Sequence, residues 1–169
     1  MSKPVPERVD VLRCADQGQL LEGRYALAEL PRLRPLLARE DGEVRFHLRC
    51  GRDAEKRVVL AGEVTARLWL TCQRCLEPVA LDVAADVRLA GVTGLQESGL
   101  LPEEYEPLLM EDPLLSVREL VEDELLLAVP QVPRHKQPCR PALPPEASDR
   151  ADDGPFAALA GLRVKHENH

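Results

Sequence analysis

Cys72 and Cys75 form a Cys-x-x-Cys pair, which is the sharpest chemical signal in this sequence. Two thiolates separated by two residues can turn back onto one metal ion through a tight turn. Further along the chain, His135 and Cys139 supply two more ligand types a few residues apart. Cys72, Cys75, His135 and Cys139 therefore predict a four-ligand tetrahedral site, and Zn²⁺ is the cofactor expected for that set.

Two other interpretations of the Cys-x-x-Cys pair stand beside the metal site. A redox pair needs its first cysteine at the N-terminus of a helix, where the dipole stabilises the thiolate. Strand-like residues flank the pair here, which disfavours redox activity. Alternatively, Cys72 packs as a small apolar residue on the inner face of a strand, and Cys75 lies unused at a turn. The sequence leaves the metal site and this packing alternative open.

The other two cysteines outside this set, Cys14 and Cys50, are expected to be inert, because Cys14 has no ligand neighbour and Cys50 falls on the apolar face of a predicted strand. The chain lacks the run of roughly 18 apolar residues that a membrane-spanning helix needs. Its first residues also lack the apolar core of a signal peptide. We therefore expect a cytoplasmic protein without structural disulfides, since that compartment is reducing.

Alternation of apolar and polar residues predicts three β-strands: Glu43–Cys50, Leu60–Cys72 and Val79–Leu89. The connections between them are short enough to join antiparallel neighbours, so the segments predict one antiparallel meander with the Cys-x-x-Cys pair at its second turn. Upstream, Arg8–Leu12 and Gln19–Ala28 predict one or two further strands. Leu30–Ala38 predicts a helix of about one or two turns, limited by its prolines.

The best helix candidate is Pro113–Ala128, with Asp112 as N-cap and Pro113 at the favoured first position. Its apolar residues fall on one stripe, as expected of a helix that packs on a sheet. Residues 1–139 are therefore predicted to form a single α+β domain, an antiparallel β-sheet meander packed against one main helix. Residues 140–169 are predicted to form a flexible, acidic, Pro-rich C-terminal tail with a short docking motif at 155–162.

The overall charge limits how the protein can meet nucleic acid. The 169 residues carry a net charge of −7. Phosphate is bound through lysine and arginine, so an acidic protein is a poor candidate for RNA binding over its whole surface. The basic residues are concentrated in the first half of the chain, which leaves open a local basic face or action through a protein partner.

The outward face of the meander is the candidate RNA-contacting surface, with Arg45, Arg49, Arg67, Trp69 and Arg74. Arginine pairs with phosphate, and a tryptophan on a sheet can stack an unpaired base. The alternative is a solvated strand face with Trp69 covered by another segment. A second candidate surface is the acidic face of the predicted helix, which would suit a basic ribosomal protein or simply be solvated. Its residues are Glu119, Glu122, Asp123 and Glu124.

Four motifs in order, CQRCLEPV, LPEEYEPL, VEDELLLAVPQVP and PFAALAGL, together resemble the YceD family of large ribosomal RNA subunit accumulation proteins. The resemblance implies a cytoplasmic, non-enzymatic factor needed for 23S rRNA accumulation, acting in the synthesis, processing or stability of 23S rRNA during large-subunit biogenesis. It implies 23S rRNA or its precursor as partner, directly or through a ribosomal protein or processing factor. Many members of the family follow the Cys-x-x-Cys with a second cysteine pair that looks like a zinc site, whereas this chain has His135 and Cys139.

An enzyme is the main alternative, namely a thiol- or zinc-dependent oxidoreductase or ribonuclease that uses the Cys-x-x-Cys pair. Nucleases usually need carboxylates that converge around metal ions, or a pair of histidines. The chain has 4 histidines, two of them close to its end, and shows neither arrangement. The sequence therefore predicts a protein that is not an enzyme, with no membrane partner and no small-molecule substrate.

Overall fold

The structure, a computed structural model, describes residues 7–110 and 112–139, without the side chain of Leu95. In these ranges the chain forms eight β-strands, three α-helices and two short 3₁₀ turns. The strands are β1 (Arg8–Asp10), β2 (Leu20–Ala26), β3 (Leu37–Arg39), β4 (Glu43–Arg52), β5 (Val58–Thr71), β6 (Pro78–Val92), β7 (Glu106–Leu109) and β8 (Leu114–Ser116). The helices are α1 (Val11–Asp16), α2 (Leu95–Ser98) and α3 (Val117–Ala128), and the 3₁₀ turns are Leu27–Glu29 and Arg34–Leu36.

Strands β4, β5 and β6 form the antiparallel meander that the alternating sequence predicts. The sheet is extended by β2 beside β4 and by β7 beside β6, and only β7 runs parallel to its neighbour. β5 is longer than its pairing with β4, so β3 pairs with its remaining end and places Arg39 opposite Trp69. β1 and β8 form a separate two-stranded sheet. The predicted α+β class is confirmed.

The core lies on one side of this sheet, because every second side chain of the three central strands is apolar and points inward. Helix α3 lies against β5 and β6, and α1 lies against β4 and β5. Residues at 0% exposure come from β4, β5 and α3: Val44, Leu48, Leu60, Val64, Leu68, Val117, Val121 and Leu125. The structure therefore confirms the predicted packing of one main helix on the meander. Among the described residues, no helix is long and apolar enough to cross a membrane.

Gly62 marks the closest approach of β4 and β5. It lies opposite Leu48 on one side and Val87 on the other. A Cβ atom at this position would overlap the carbonyl oxygen of His47. Only glycine fits such a backbone contact without moving a strand.

Helix α3 begins at Val117, and the predicted start at Pro113 is wrong. The preceding residues Leu114–Ser116 form β8, which pairs with β1, so this backbone is extended. Ser116 is the N-cap, and its hydroxyl accepts a hydrogen bond from the Glu119 N–H at 3.4 Å. Asp112, the predicted N-cap, instead accepts from the Leu114 N–H at 2.9 Å. Pairing with a distant strand thus overrides the local helix signal.

The predicted acidic surface of this helix is also only partly present, because Glu122 and Glu124 are 2% and 8% exposed. The Glu122 carboxylate accepts hydrogen bonds from the Arg32 and Leu33 N–H groups at 2.7 and 3.1 Å. Arg32 Nε adds a charged hydrogen bond at 3.1 Å. The loop after the first 3₁₀ turn is therefore pinned to α3, and the predicted helix over Leu30–Ala38 is replaced by the second 3₁₀ turn and β3.

The two upstream segments each contribute one strand, as predicted. Arg8–Leu12 contributes only the short strand β1 before α1 begins, whereas Gln19–Ala28 contains β2 as expected.

The structure joins Cys14 to Cys50 by a disulfide, with Cα atoms 5.7 Å apart. The prediction of two unpaired, inert cysteines is wrong here, because α1 packs on β4 and the sequence does not reveal that contact. The predicted tail over 140–169 lies outside the described residues.

Candidate metal centre

The turn between β5 and β6 carries the Cys-x-x-Cys pair. Cys72 follows β5 directly, and its backbone accepts from Leu76 N–H and donates to the Glu77 carbonyl, each at 2.9 Å. Leu76 has a φ of 63°, which lets the chain reverse within these few residues. The pair therefore lies in a tight knuckle between strands, as predicted, and not at the start of a helix. This context lacks the helix dipole that activates redox pairs.

The segment after α3 brings the other two ligands to the same place. Helix α3 ends at Ala128, with Val129 as its C-cap, and Pro133 is buried beside the knuckle. The Pro133 carbonyl accepts a hydrogen bond from the Gln73 N–H at 2.8 Å. That contact aligns residues 133–139 along the turn and brings His135 and Cys139 to the two cysteines.

The four predicted ligands form one cluster, in which their ligand atoms all lie within 4.8 Å of one another. Cys72 Sγ is 3.8 Å from Cys139 Sγ, and Cys75 Sγ is 3.5 Å from His135 Nδ1. A tetrahedral zinc ion places two sulfurs about 3.8 Å apart and a sulfur and a nitrogen about 3.5 Å apart, from bond lengths of about 2.3 and 2.0 Å. The donor set and its spacing therefore fit a zinc ion. That zinc binds there stays a prediction.

The electrostatics of the cluster show competition between thiolates. Burial opposes ionisation of Cys72, but the N–H groups of Cys75, Arg74 and His135 outweigh it and lower the pKa of Cys72 to about 5. At Cys75 the Glu77 N–H favours the thiolate, while burial and the sulfurs of Cys139 and Cys72 raise its pKa. Several thiolates cannot share so small a volume without a compensating cation. A divalent metal ion would remove that repulsion.

Arg74 supports the cluster from outside the ligand set. Its Nε donates to Cys139 Sγ at 2.9 Å and its NH2 group donates to the Gln137 carbonyl at 2.7 Å. Burial opposes ionisation of Cys139, but hydrogen bonds from Arg74, Cys75 and His135 together outweigh it and lower the pKa of this thiol. Groups that hydrogen-bond to metal ligands fix their orientation. The guanidinium of Arg74 is thus directed to the metal centre.

The remaining predicted RNA-contacting residues lie on the outward face of the sheet. Arg45, Arg49 and Arg67 are exposed, and Trp69 is half-buried. Arg45 pairs with Glu43, and Arg67 lies 3.9 Å from Asp82. The structure thus brings Arg67 and Trp69 together beside the metal centre and places Arg45 and Arg49 further along β4. RNA binding by these residues stays a prediction.

Two neighbours of Trp69 are not among the residues that the sequence predicts for this surface. The Arg39 guanidinium lies 4.7 Å from the centre of the Trp69 ring. No signal in the sequence indicates this contact, because it depends on β3 replacing β4 beside β5. Lys136 lies with Trp69 along one groove. Its position next to the predicted ligand His135 is a signal that could have indicated it.

The chain is similar to proteins connected with ribosomal RNA. A family model described as "Large ribosomal RNA subunit accumulation protein YceD" matches residues 60–163. A relative named "Large ribosomal RNA subunit accumulation protein YceD" from Haemophilus influenzae (strain Rd) is 32% identical over 171 aligned positions, which cover 95% of this chain and 97% of the relative. No solved structure matches the chain.

Proposed function

The chain belongs to the YceD family of large ribosomal RNA subunit accumulation proteins, and we propose that it is a non-enzymatic factor needed for the accumulation of 23S rRNA. The observation that carries this proposal is the match to the named relative over nearly the whole of both chains. The proposed step is the synthesis, processing or stability of 23S rRNA during large-subunit biogenesis. Such a role would place the protein in the cytoplasm.

The metal centre is proposed to hold a structural zinc ion through Cys72, Cys75, His135 and Cys139. When bound, zinc would cross-link the β5–β6 turn to the segment after α3. Four protein ligands fill a tetrahedral zinc ion, whereas catalytic zinc keeps one position for water or substrate. The ligand count therefore supports a structural role and a protein that is not an enzyme.

The alternative of a thiol- or zinc-dependent enzyme has one observation in its favour, the low pKa of Cys72. The Cys72 side chain is 0% exposed, however, so a substrate cannot reach its sulfur without rearrangement of the knuckle. Among the described residues, no second cluster of His, Cys, Asp or Glu ligands accompanies it. These observations favour the non-enzymatic proposal.

The partner is proposed to be 23S rRNA or its precursor, either in direct contact or through a ribosomal protein or processing factor. Arg67 and Trp69 on the outward sheet face support direct contact. The exposed acids of α3, Glu119 and Asp123, offer little surface for a basic protein, because Asp123 already pairs with Arg32. The charge distribution therefore supports RNA contact more than contact through α3.

Depletion of the protein from cells tests the proposal. We expect the ratio of 23S rRNA to small-subunit rRNA to fall, and expression of the wild-type chain to restore it. Cys75→Ser should restore it poorly, while Leu76→Ala, at an exposed neighbour in the same turn, should restore it fully. An unchanged ratio after depletion would contradict the proposed function. Incubation of the purified protein with precursor rRNA and Mg²⁺ tests the enzyme alternative, since specific cleavage would establish it.

A further inference from the structure

A groove of about 470 Å³ runs along the outward sheet face between Trp69 and the segment after α3. Its floor is formed by the ends of β5 and β6, and His135, Lys136 and Gln137 form one wall. We call it the Trp69 groove. Its volume falls within the range of pockets that bind small ligands, roughly 300 to 1,000 Å³.

The Trp69 ring is open to a ligand on the groove side. Trp69 lies opposite Ala80 of β6, whose small side chain leaves space beside the ring. Arg39 approaches the ring from β3, on the other side of β5, and holds its orientation by a cation–π contact. A planar group that enters the groove can therefore stack on an aromatic ring that is already fixed in place.

Cations flank this ring. Arg67 lines the groove with 68% of its side chain exposed, and Lys136 is exposed at the opposite wall. Within the described part of the chain, Lys136 has no ion-pair partner. Asp82 is the one carboxylate among the groove residues, 3.9 Å from Arg67. The groove is therefore locally positive on a protein whose net charge is −7.

We propose that the Trp69 groove binds an unpaired nucleotide of single-stranded RNA, with its base stacked on Trp69 and its phosphates on Arg67 and Lys136. This proposal rests on the proposed function and names its point of RNA contact. An aromatic ring between two cations matches the alternation of base and phosphate in a single strand. A base inside a duplex is already stacked and cannot enter the groove.

The metal centre controls one wall of the groove. His135 is a candidate ligand, and Gln137, two residues on, accepts a hydrogen bond from Arg74 at the knuckle. Lys136 lies between these two anchors. Zinc bound at the cluster would fix Lys136 across the groove from Arg67, so RNA binding in the groove requires the metal.

A second cavity of about 420 Å³ continues the path along the sheet. It shares Arg67 and Asp82 with the Trp69 groove and extends to Arg45. A strand that leaves the groove past Arg67 would therefore meet a further arginine. An oligonucleotide of several residues should bind more tightly than a mononucleotide.

The chain contains a single tryptophan, so its fluorescence reports directly on the groove. The full-length, zinc-loaded protein is titrated with a single-stranded oligouridylate, and we expect saturable quenching of Trp69. A self-complementary RNA duplex should give no quenching. With a fluorescently labelled oligouridylate, anisotropy should show about 5- to 100-fold weaker binding for Trp69→Ala, whereas Trp69→Phe should keep most of the affinity.

Matched charge reversals test the cations. Arg67→Glu and Lys136→Glu should each weaken binding about tenfold or more, while Arg49→Glu should have a small effect. Arg49 lies on the same sheet face but opposite Ala61, away from Trp69. Equal loss from Arg49→Glu and Arg67→Glu, or duplex binding as tight as single-strand binding, would overturn the proposal, as would tighter binding of an acidic peptide than of the oligouridylate.

Metal removal tests the coupling between the two sites. After treatment with a chelator we expect loss of RNA binding and its recovery on addition of zinc alone. Unchanged affinity in the metal-free protein, verified by metal analysis, would overturn the coupling. Failure of this proposal is distinct from failure of the proposed function. If Lys136→Glu loses oligonucleotide binding yet restores 23S rRNA in depleted cells, the groove is not the point of contact and the family role stands.

Discussion

The guanidinium of Arg74 donates a hydrogen bond from Nε to the sulfur of Cys139 across 2.9 Å. The two residues belong to distant parts of the sequence, the β5–β6 turn and the segment after α3. Their contact raises the pKa of Arg74, because the hydrogen bond to Cys139 favours the charged guanidinium. Arg74 therefore offsets thiolate charge at the metal centre and holds the segment of Cys139 against the turn.

Arg74→Ala should weaken zinc binding by about 10- to 100-fold, as expected for loss of a group that orients a ligand. Arg74→Lys should recover only part of the affinity, because lysine cannot donate to Cys139 and Gln137 with the same planar geometry. Competition with a chromophoric zinc chelator measures both. Arg49→Ala is the control, and equal zinc affinity in Arg74→Ala and wild type would contradict the role given to Arg74.

Zinc should stabilise the folded chain through the four ligands. At a free zinc concentration about 100 times the dissociation constant, the gain in unfolding free energy is about 2.7 kcal/mol. His135→Ala should abolish most of this gain, whereas Lys136→Ala, at the adjacent residue, should keep it. Thermal unfolding with and without zinc gives the comparison. If zinc left the melting temperature of the wild-type chain unchanged, the proposed zinc site would be contradicted.

The three central strands could be predicted because alternation along each of them is complete. The grouping of the four candidate ligands could be predicted because cysteine and histidine are rare enough to stand out. What the sequence could not give are contacts that depend on distant pairing. The local sequence predicts a helix over Leu114–Ser116, and only the pairing of this segment with β1 makes it a strand. Arg39 reaches Trp69 only because β3 takes the place of β4 beside β5. Cys14 meets Cys50 only because α1 packs on β4.

Gly62→Ala should destabilise the fold by about 2 to 3 kcal/mol, because the added methyl group overlaps the His47 carbonyl and must push β4 and β5 apart. Gly94→Ala is a suitable control, since a Cβ atom there meets nothing within 4 Å and its φ of −166° is ordinary extended backbone. Urea unfolding measures both variants. Similar stabilities for the two would show that the strands separate at little cost.

Glu122→Ala should destabilise the protein by about 2 to 4 kcal/mol, because it leaves the N–H groups of Arg32 and Leu33 without their acceptor. Asp123→Ala removes an exposed carboxylate that also pairs with Arg32, and should cost about 1 kcal/mol or less. The difference between the two isolates the buried hydrogen bonds from the surface ion pair. Equal losses in urea unfolding would mean that Glu122 stabilises the fold mainly through its ion pair with the Arg32 side chain, and not through its hydrogen bonds to the backbone.

Glu124 should make the stability of the fold depend on pH. Burial against the sheet raises the pKa of its carboxyl, and the negative charges of Glu106 and Asp123 raise it further. Below the ordinary pKa of 4.5 the carboxyl is protonated in both the folded and the unfolded chain, so no charge is buried on folding and stability is not reduced. As the pH rises through the raised value, the folded state must bury a charge and loses stability.

Glu124→Gln removes that charge, so its advantage in unfolding free energy over the wild-type chain should be absent at acidic pH. The advantage should appear as the pH approaches neutrality and reach roughly 1 kcal/mol or less. Glu104→Gln, at an exposed position in the loop before β7, is the matched control. Urea unfolding at a series of pH values gives all three curves. If the advantage of Glu124→Gln in unfolding free energy stayed constant with pH, the charge of the buried carboxylate would not be its cause.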